Sequence, residues 1–170
     1  EKYTLKVPVS VLLFLLLIVA PVFSQYGGGS GTAEDINQIA TTDDLIELCN
    51  TSADWDKDFM QSADIECNAD ETQVDWNGVG TPDGDNPAGF SPIGTTGSGN
   101  DFTGNYNGNG FIIKNLYIDR AGVLNQALFG YIRSGRIEKV GIIDADSTRR
   151  NNVAILVETS CGRVERSFVT

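Results

Sequence analysis

The feature that most constrains this chain is an internal repeat. Arg136-Ile-Glu-Lys-Val-Gly-Ile142 can be laid on Arg163-Val-Glu-Arg-Ser-Phe-Val169 at an offset of 27 residues. The flanks follow the same offset: Ala127-Leu-Phe-Gly-Tyr131 falls on Ala154-Ile-Leu-Val-Glu158, and Gly135 on Gly162. A further copy lies upstream at an offset of 24, where Ile113-Lys-Asn-Leu-Tyr-Ile118 falls on Ile137-Glu-Lys-Val-Gly-Ile142. Each copy holds an apolar residue, two polar or charged residues and a short apolar stretch, with Ser167 as the polar intruder. The copies lack helical periodicity, and glycine and polar turns bound each apolar patch, as they do around strands. A unit this short cannot bury its apolar face alone. Stacked about 4.8 Å apart, successive units bury a continuous core and pair their backbones. The repeat therefore predicts a mainly β chain, a parallel β-solenoid with two or three short strands per coil. A leucine-rich repeat has a similar period, but its Leu-x-x-Leu-x-Leu-x-x-Asn pattern is absent.

The start of the chain has a different character. Lys2 and Lys6 precede a nearly unbroken apolar run from Val7 to Phe23, and Val22-Phe23-Ser24 offers a cleavage site before Gln25. Residues 1–24 thus read as an α-helical secretory signal segment. A retained anchor is the alternative, but the run is short for a span of about 20 residues and contains Ser10 and two prolines. Export of the chain follows from this reading, to the medium or to the cell surface.

Charge is divided unevenly over the remainder. Residues 25–110 carry sixteen Asp and Glu against the single base Lys57, whereas residues 111–170 carry nine Lys and Arg against six acids. The overall charge of −11 disfavours nucleic acid and anionic membrane surfaces as partners. It leaves the leader, or an anchor outside this sequence, as the only membrane attachment. The acidic half could bind Ca²⁺ weakly through carboxylate and carbonyl oxygens. The simpler reading is a solvated acidic surface, because no calcium loop is complete: Asp83-Gly-Asp-Asn-Pro87 has Pro87 where a third ligand belongs. No cofactor is expected.

Within the acidic half, residues 25–67 read as an amino-terminal cap. Ile36 to Ile39 is a strand candidate, Thr41 to Asn50 a short helix, and Phe59 to Glu66 a second strand. Thr41 with Asp44 approximates a capping box, and Leu45, Ile46 and Leu48 supply the helix's buried side. Trp55 is expected to pack in the cap or core rather than serve as a ligand platform. Residues 68–110 read as Gly-rich loops and the first coil, holding ten of the 19 glycines, with short strands near 90–94 and 100–106. The exposed loop from Asp83 to Pro87, with Asp83, Asp85 and Trp76, is the candidate place for a small ligand. Residues 111–170 are then the repeats proper, read as truncated at the carboxyl end: the last copy stops at its matched strand without a closing element, so further repeats are expected beyond Thr170.

The order of motifs resembles the GLUG-motif repeat family of secreted and surface proteins. Ala127-Leu-Phe-Gly-Tyr-Ile132 followed by Ser134-Gly-Arg-Ile-Glu-Lys-Val-Gly-Ile142 carries the likeness. Phe102 to Ile118 looks like the segment that leads into that family's repeats, and Asp54-Trp-Asp-Lys57, Ser62-Ala-Asp-Ile65 and Phe90-Ser-Pro-Ile-Gly94 look like its earlier landmarks. The resemblance spans about 27–170. It implies a right-handed parallel β-helix with adhesin-like, surface or extracellular roles. The last copy departs from it, since Ala154-Ile-Leu-Val157 lacks both motif glycines.

Three cysteines, Cys49, Cys67 and Cys161, leave three pairings open for one disulfide in an exported chain. Cys49–Cys67 closes the shortest loop, worth ~3 kcal/mol on the loop-entropy scale. The resemblance favours this pair, because similar proteins carry a cysteine in the cap helix and another after the Ala-Asp-Ile strand. Cys161 is left as a small buried residue or as the partner of a cysteine beyond residue 170.

Chemistry is sparse. The chain has no His, so His-ligated zinc, His bases and Ser-His-Asp triads are excluded within it. Asp144 and Asp146 would share a face in a strand, with Arg149-Arg150 following, and could form an acid/base pair on a saccharide. A solvated face is the simpler reading. The expectation is a non-enzymatic surface or secreted repeat protein, a stalk or binding surface for an extracellular ligand. The alternative is the repeat region of a larger extracellular enzyme, a peptidase or a polysaccharide-active one, whose catalytic domain lies outside these residues. Asn50-Thr51-Ser52 is an N-glycosylation sequon, meaningful where a eukaryotic secretory route handles the chain.

Overall fold

A computed structural model describes residues 25–67, 89–96, 99–118, 126–146 and 154–170. The leader reading and the 83–87 loop, with Trp76, Asp83 and Asp85, lie outside the described residues. None of the described helices is long and apolar enough to cross a membrane.

The described chain is mainly β with one α-helix. The strands, in order, are β1 (Asn37–Ile39), β2 (Asp58–Gln61), β3 (Ile65–Glu66), β4 (Asn105–Asn107), β5 (Ile112–Lys114), β6 (Phe129–Ile132), β7 (Arg136–Glu138), β8 (Gly141–Ile143), β9 (Val157–Ser160), β10 (Arg163–Glu165) and β11 (Phe168–Val169). The helix α1 (Thr42–Asn50) follows β1. It starts as the capping box predicts: the Thr41 hydroxyl oxygen accepts from the Asp44 N–H at 3.1 Å, and the Asp44 carboxylate accepts from the Thr41 N–H at 3.0 Å. Leu45, Ile46, Leu48 and Cys49 form its buried side.

Three sheets result, and every strand pairing within them is parallel. The first has the order β1-β2-β4-β7-β10, the second β11-β8-β5-β3, and the third pairs β6 with β9. From β6 to β8, and again from β9 to β11, the chain visits the third, first and second sheets in that order. Bridges of Ile93 to Phe129 and Phe102 to Ile132 extend the third sheet by one earlier circuit.

Register puts like positions over one another. Phe59, Tyr106, Ile137 and Val164 form one inward column, and Ile65, Ile113, Ile142 and Val169 another. Phe102 packs on Phe129 with ring centres 5.2 Å apart, and Tyr106 meets Phe129 edge-on at 5.3 Å. Gln61 is fully buried, yet its amide donates to the Ala63 carbonyl at 3.0 Å, and its oxygen accepts from the Tyr106 hydroxyl at 3.4 Å. The buried amide is thereby satisfied.

The register corrects two of the alignments. Ile113 pairs with Ile142, not with Ile137, whose neighbour is Tyr106. The offset of 24 therefore fails, because isoleucines of different sheets look alike in the sequence. The offset of 27 holds for β7 over β10 and β8 over β11. In the third sheet, Phe129 lies opposite Val157, one residue later than that offset gives. The turn before Gly135 is one residue longer than the turn before Gly162, and this absorbs the slip.

The segment read as a cap also supplies strands, since β1 and β2 extend the first sheet. The exposed edge of β1 is covered by the chain before it: the Gln38 N–H donates to the Gly28 carbonyl at 2.7 Å, and the Gly27 N–H donates to the Gln38 carbonyl at 3.0 Å. α1 is tied to β3 where the Thr42 hydroxyl donates to the Glu66 carbonyl at 3.0 Å. At the far end of the stack Val164, Phe168 and Val169 are 43%, 51% and 42% exposed.

Candidate functional site

Of the residues singled out in the sequence, Cys49, on α1, and Cys67, just after β3, are both buried in the core. No disulfide joins them in the structure, and Cys161 is exposed. Burial pushes the Cys67 thiol up to about 12, with Glu66 adding to the shift. Asp144 and Asp146 are both exposed. Asp144 occupies a left-handed turn (φ 52°) after β8, so the two do not share a strand face as an acid/base pair would require. Arg149 and Arg150 lie outside the described residues.

A different group of side chains comes together at the corner between the third and first sheets. There a cleft of about 420 Å³ is lined by Ser52, Trp55, Asp56, Asp101, Thr103 and Arg133, among others. Its wall spans three successive circuits. Trp55 is the anchor: it is buried, and its indole N–H donates to the Leu48 carbonyl at 2.8 Å. Its own carbonyl accepts from the Thr103 and Gly104 N–H groups, each at 2.9 Å. The expectation that Trp55 packs in the core is met.

Register also brings Arg133 to Asp101. The Arg133 N–H donates to the Phe102 carbonyl at 3.0 Å, and its guanidinium Nε donates to Asp101 Oδ2 at 2.5 Å. The Asp101 side chain is only 7% exposed, whereas that of Arg133 is 63% exposed. A largely buried carboxylate thus orients an exposed guanidinium at the cleft wall. Ser52 and Thr103 add hydroxyls and Asp56 a carboxylate. The set is suited to hydrogen-bonding a polar ligand. Among the described residues no group of three or more Cys, Asp or Glu side chains is placed to hold a metal ion.

Beneath this corner, Asp54 is buried and paired twice. The Tyr26 hydroxyl donates to Oδ2 at 2.9 Å, and Lys57 Nζ sits 2.5 Å from Oδ1. Burial first, then this hydrogen bond, holds the Tyr26 phenol well above its usual range. The outward face of the first sheet carries ion pairs. Arg136 Nη2 lies 2.8 Å from Glu138 and 2.9 Å from Glu165, and Arg163 lies 2.7 Å from Glu165. The hydrogen bond from Arg136 holds the Glu165 carboxyl below its usual range.

Sequence reasoning missed Asp56, Asp101, Thr103 and Arg133. One signal could have found them. Setting Gly104 in the same column as Gly135 and Gly162 places Phe102, which lies between Asp101 and Thr103, beside Arg133.

With this geometry in place, comparison with known proteins gives one informative likeness. The chain is 33% identical over 138 residues to halomucin of Haloquadratum walsbyi. The match takes in 81% of this chain and 1% of halomucin, so the chain spans about one hundredth of that curated relative's length. No family model matches the chain. No solved structure matches it.

Proposed function

We propose that this chain is part of a non-enzymatic, secreted or cell-surface repeat protein. In this reading it is a right-handed parallel β-helix of the GLUG-motif kind, a rigid stalk or adhesin-like binding surface. The observation that carries the proposal is the register of the first sheet, in which each circuit lays a strand in parallel on the one before. Such a stack holds corner side chains in a fixed row. The likeness to halomucin supports a secreted or surface location, and so does the apolar leader in the sequence. The cleft at Trp55, Asp101 and Arg133 is the binding surface in this proposal, and its ligand is a polar extracellular molecule.

Labelling of intact cells of the source organism with an antibody to residues 25–170, beside fractionation, tests the proposal. Surface or medium staining is the expected result. A protein confined to the cytosolic fraction overturns it.

A further inference from the structure

Asn50-Thr51-Ser52 is the one Asn-x-Ser/Thr sequence in the 170 residues. The fold treats its three side chains differently. Asn50 is the last residue of α1 and is exposed, as is Ser52. Thr51 between them is half-buried, and its hydroxyl donates to Glu47 Oε1 at 3.0 Å. Thr51 leaves the helical conformation, with φ −109° and ψ 77°, so the chain turns away from the helix at the sequon. The two residues that define the acceptor signal therefore face solvent, while the residue that the signal leaves free does the packing. Leu45, Ile46, Leu48 and Cys49 of the same helix are buried in the core, whereas Asn50 is exposed at its end, so a group attached to the Asn50 amide has solvent to enter. Ser52 is also on the wall of the cleft.

We propose that Asn50 is an N-glycosylation site of the exported protein, and that its glycan stands at the rim of the Trp55–Arg133 cleft. The proposal rests on the exported reading above and on an export route that carries an oligosaccharide transferase. The donor is an oligosaccharide linked through phosphate to a membrane lipid. The Asn50 amide nitrogen forms a bond to the anomeric carbon as the bond from that carbon to the phosphate oxygen breaks. The lipid phosphate leaves with the electron pair, and the amide gives up one proton to the transferase. No oxidant or reductant is involved. The product is a bulky, hydrated group on the helix that closes one end of the stack, where it shields that end and narrows the approach to the cleft.

The test is intact mass and peptide mapping of the protein purified from its source organism, with Asn50→Gln, Ser52→Ala and Ser52→Thr introduced in the gene. The sites are exposed, so the variants are expected to fold like the parent, which thermal unfolding checks. The proposal requires a glycan mass on the peptide holding Asn50. It is lost in Asn50→Gln and Ser52→Ala and kept in Ser52→Thr. An exported protein at its bare polypeptide mass overturns the site and leaves the surface reading standing. A glycan that persists in Asn50→Gln also overturns the site. Retention of the chain in the cytosol overturns both.

Discussion

Gly135 rests against the backbone of Gly104: a Cβ added to Gly135 would come within 2.1 Å of the Gly104 carbonyl oxygen. Gly162 stands in the same relation to Gly135, at 2.2 Å, and Gly104 to Lys57, at 2.0 Å. One corner of each circuit thus presses directly on the circuit below. The contact is with backbone, which cannot swing aside as a flexible side chain would. Gly135→Ala is expected to force the circuits apart and to cost about 1–3 kcal/mol, the usual range for overpacking a tight site. Chemical denaturation measures it. A change under half a kcal/mol would show that the stack yields freely at this corner.

Cysteine state and pH are linked. The Cys67 thiol, pushed up to about 12 by burial, titrates near 8.5 when the chain is unfolded. Its folded pKa is the higher one, so its contribution to stability is full below pH ~8.5 and is lost as pH rises from there towards 12. The reduced protein is expected to melt at falling temperature from about pH 8.5 upward. Cys67→Ala should flatten that slope between roughly pH 8.5 and 10, before tyrosines contribute. In the exported, non-reduced protein, Cys49 is expected to pair with Cys67, which removes the titrating thiol and the slope with it. Peptide mapping reads the bond. Cys161 joined to either cysteine would refute the pairing.

The exposed edge of β10 and β11 has an expected cost. Among the described residues no strand pairs with the outer edge of β10 or β11, where Val164, Phe168 and Val169 are exposed, and open edges beside apolar side chains associate. A polypeptide of residues 25–170 should self-associate in sedimentation at moderate concentration. Val164→Lys or Phe168→Lys should return it to the monomer without loss of cooperative unfolding. Association unchanged by both would place the contact elsewhere.

Salt and calcium separate two meanings of the acidic half. Sixteen acids against one base in residues 25–110 repel one another, and salt screens that repulsion. The exposed ion pairs of Arg136 and Glu165 contribute little and are screened as well. The expected outcome is a melting temperature that rises with sodium chloride and does not differ between chelator and excess Ca²⁺. A large rise with Ca²⁺ alone would reveal a tight native-state site.

The sequence showed some of this directly and concealed the rest. The capping box of α1 was legible because both of its hydrogen bonds are local, Thr41 with Asp44. The match of Arg136–Glu138 to Arg163–Glu165 was legible because no insertion separates them. The pairing of Tyr106 with Ile137 was not, since Ile113 offers the same apolar signal in another sheet. The cleft was hidden for a related reason: Asp101 and Arg133 meet only through the pairing of Phe102 with Ile132, which no short-range pattern announces. Nor does sequence reveal which non-glycine residues accept a left-handed corner. Lys139 and Arg166, at φ 53° and 51°, do so between the first and second sheets.

The inward column of Phe59, Tyr106, Ile137 and Val164 joins neighbours in space that lie at unequal distances along the chain, and the interval shortens from 47 to 31 to 27 residues. The strands keep their register across all three intervals, so the extra length lies between the paired strands and not within them. Insertion or deletion at a corner leaves the next rung where it was. Selection can then lengthen or rewrite the connecting segments while the columns hold still, without the fold being renegotiated.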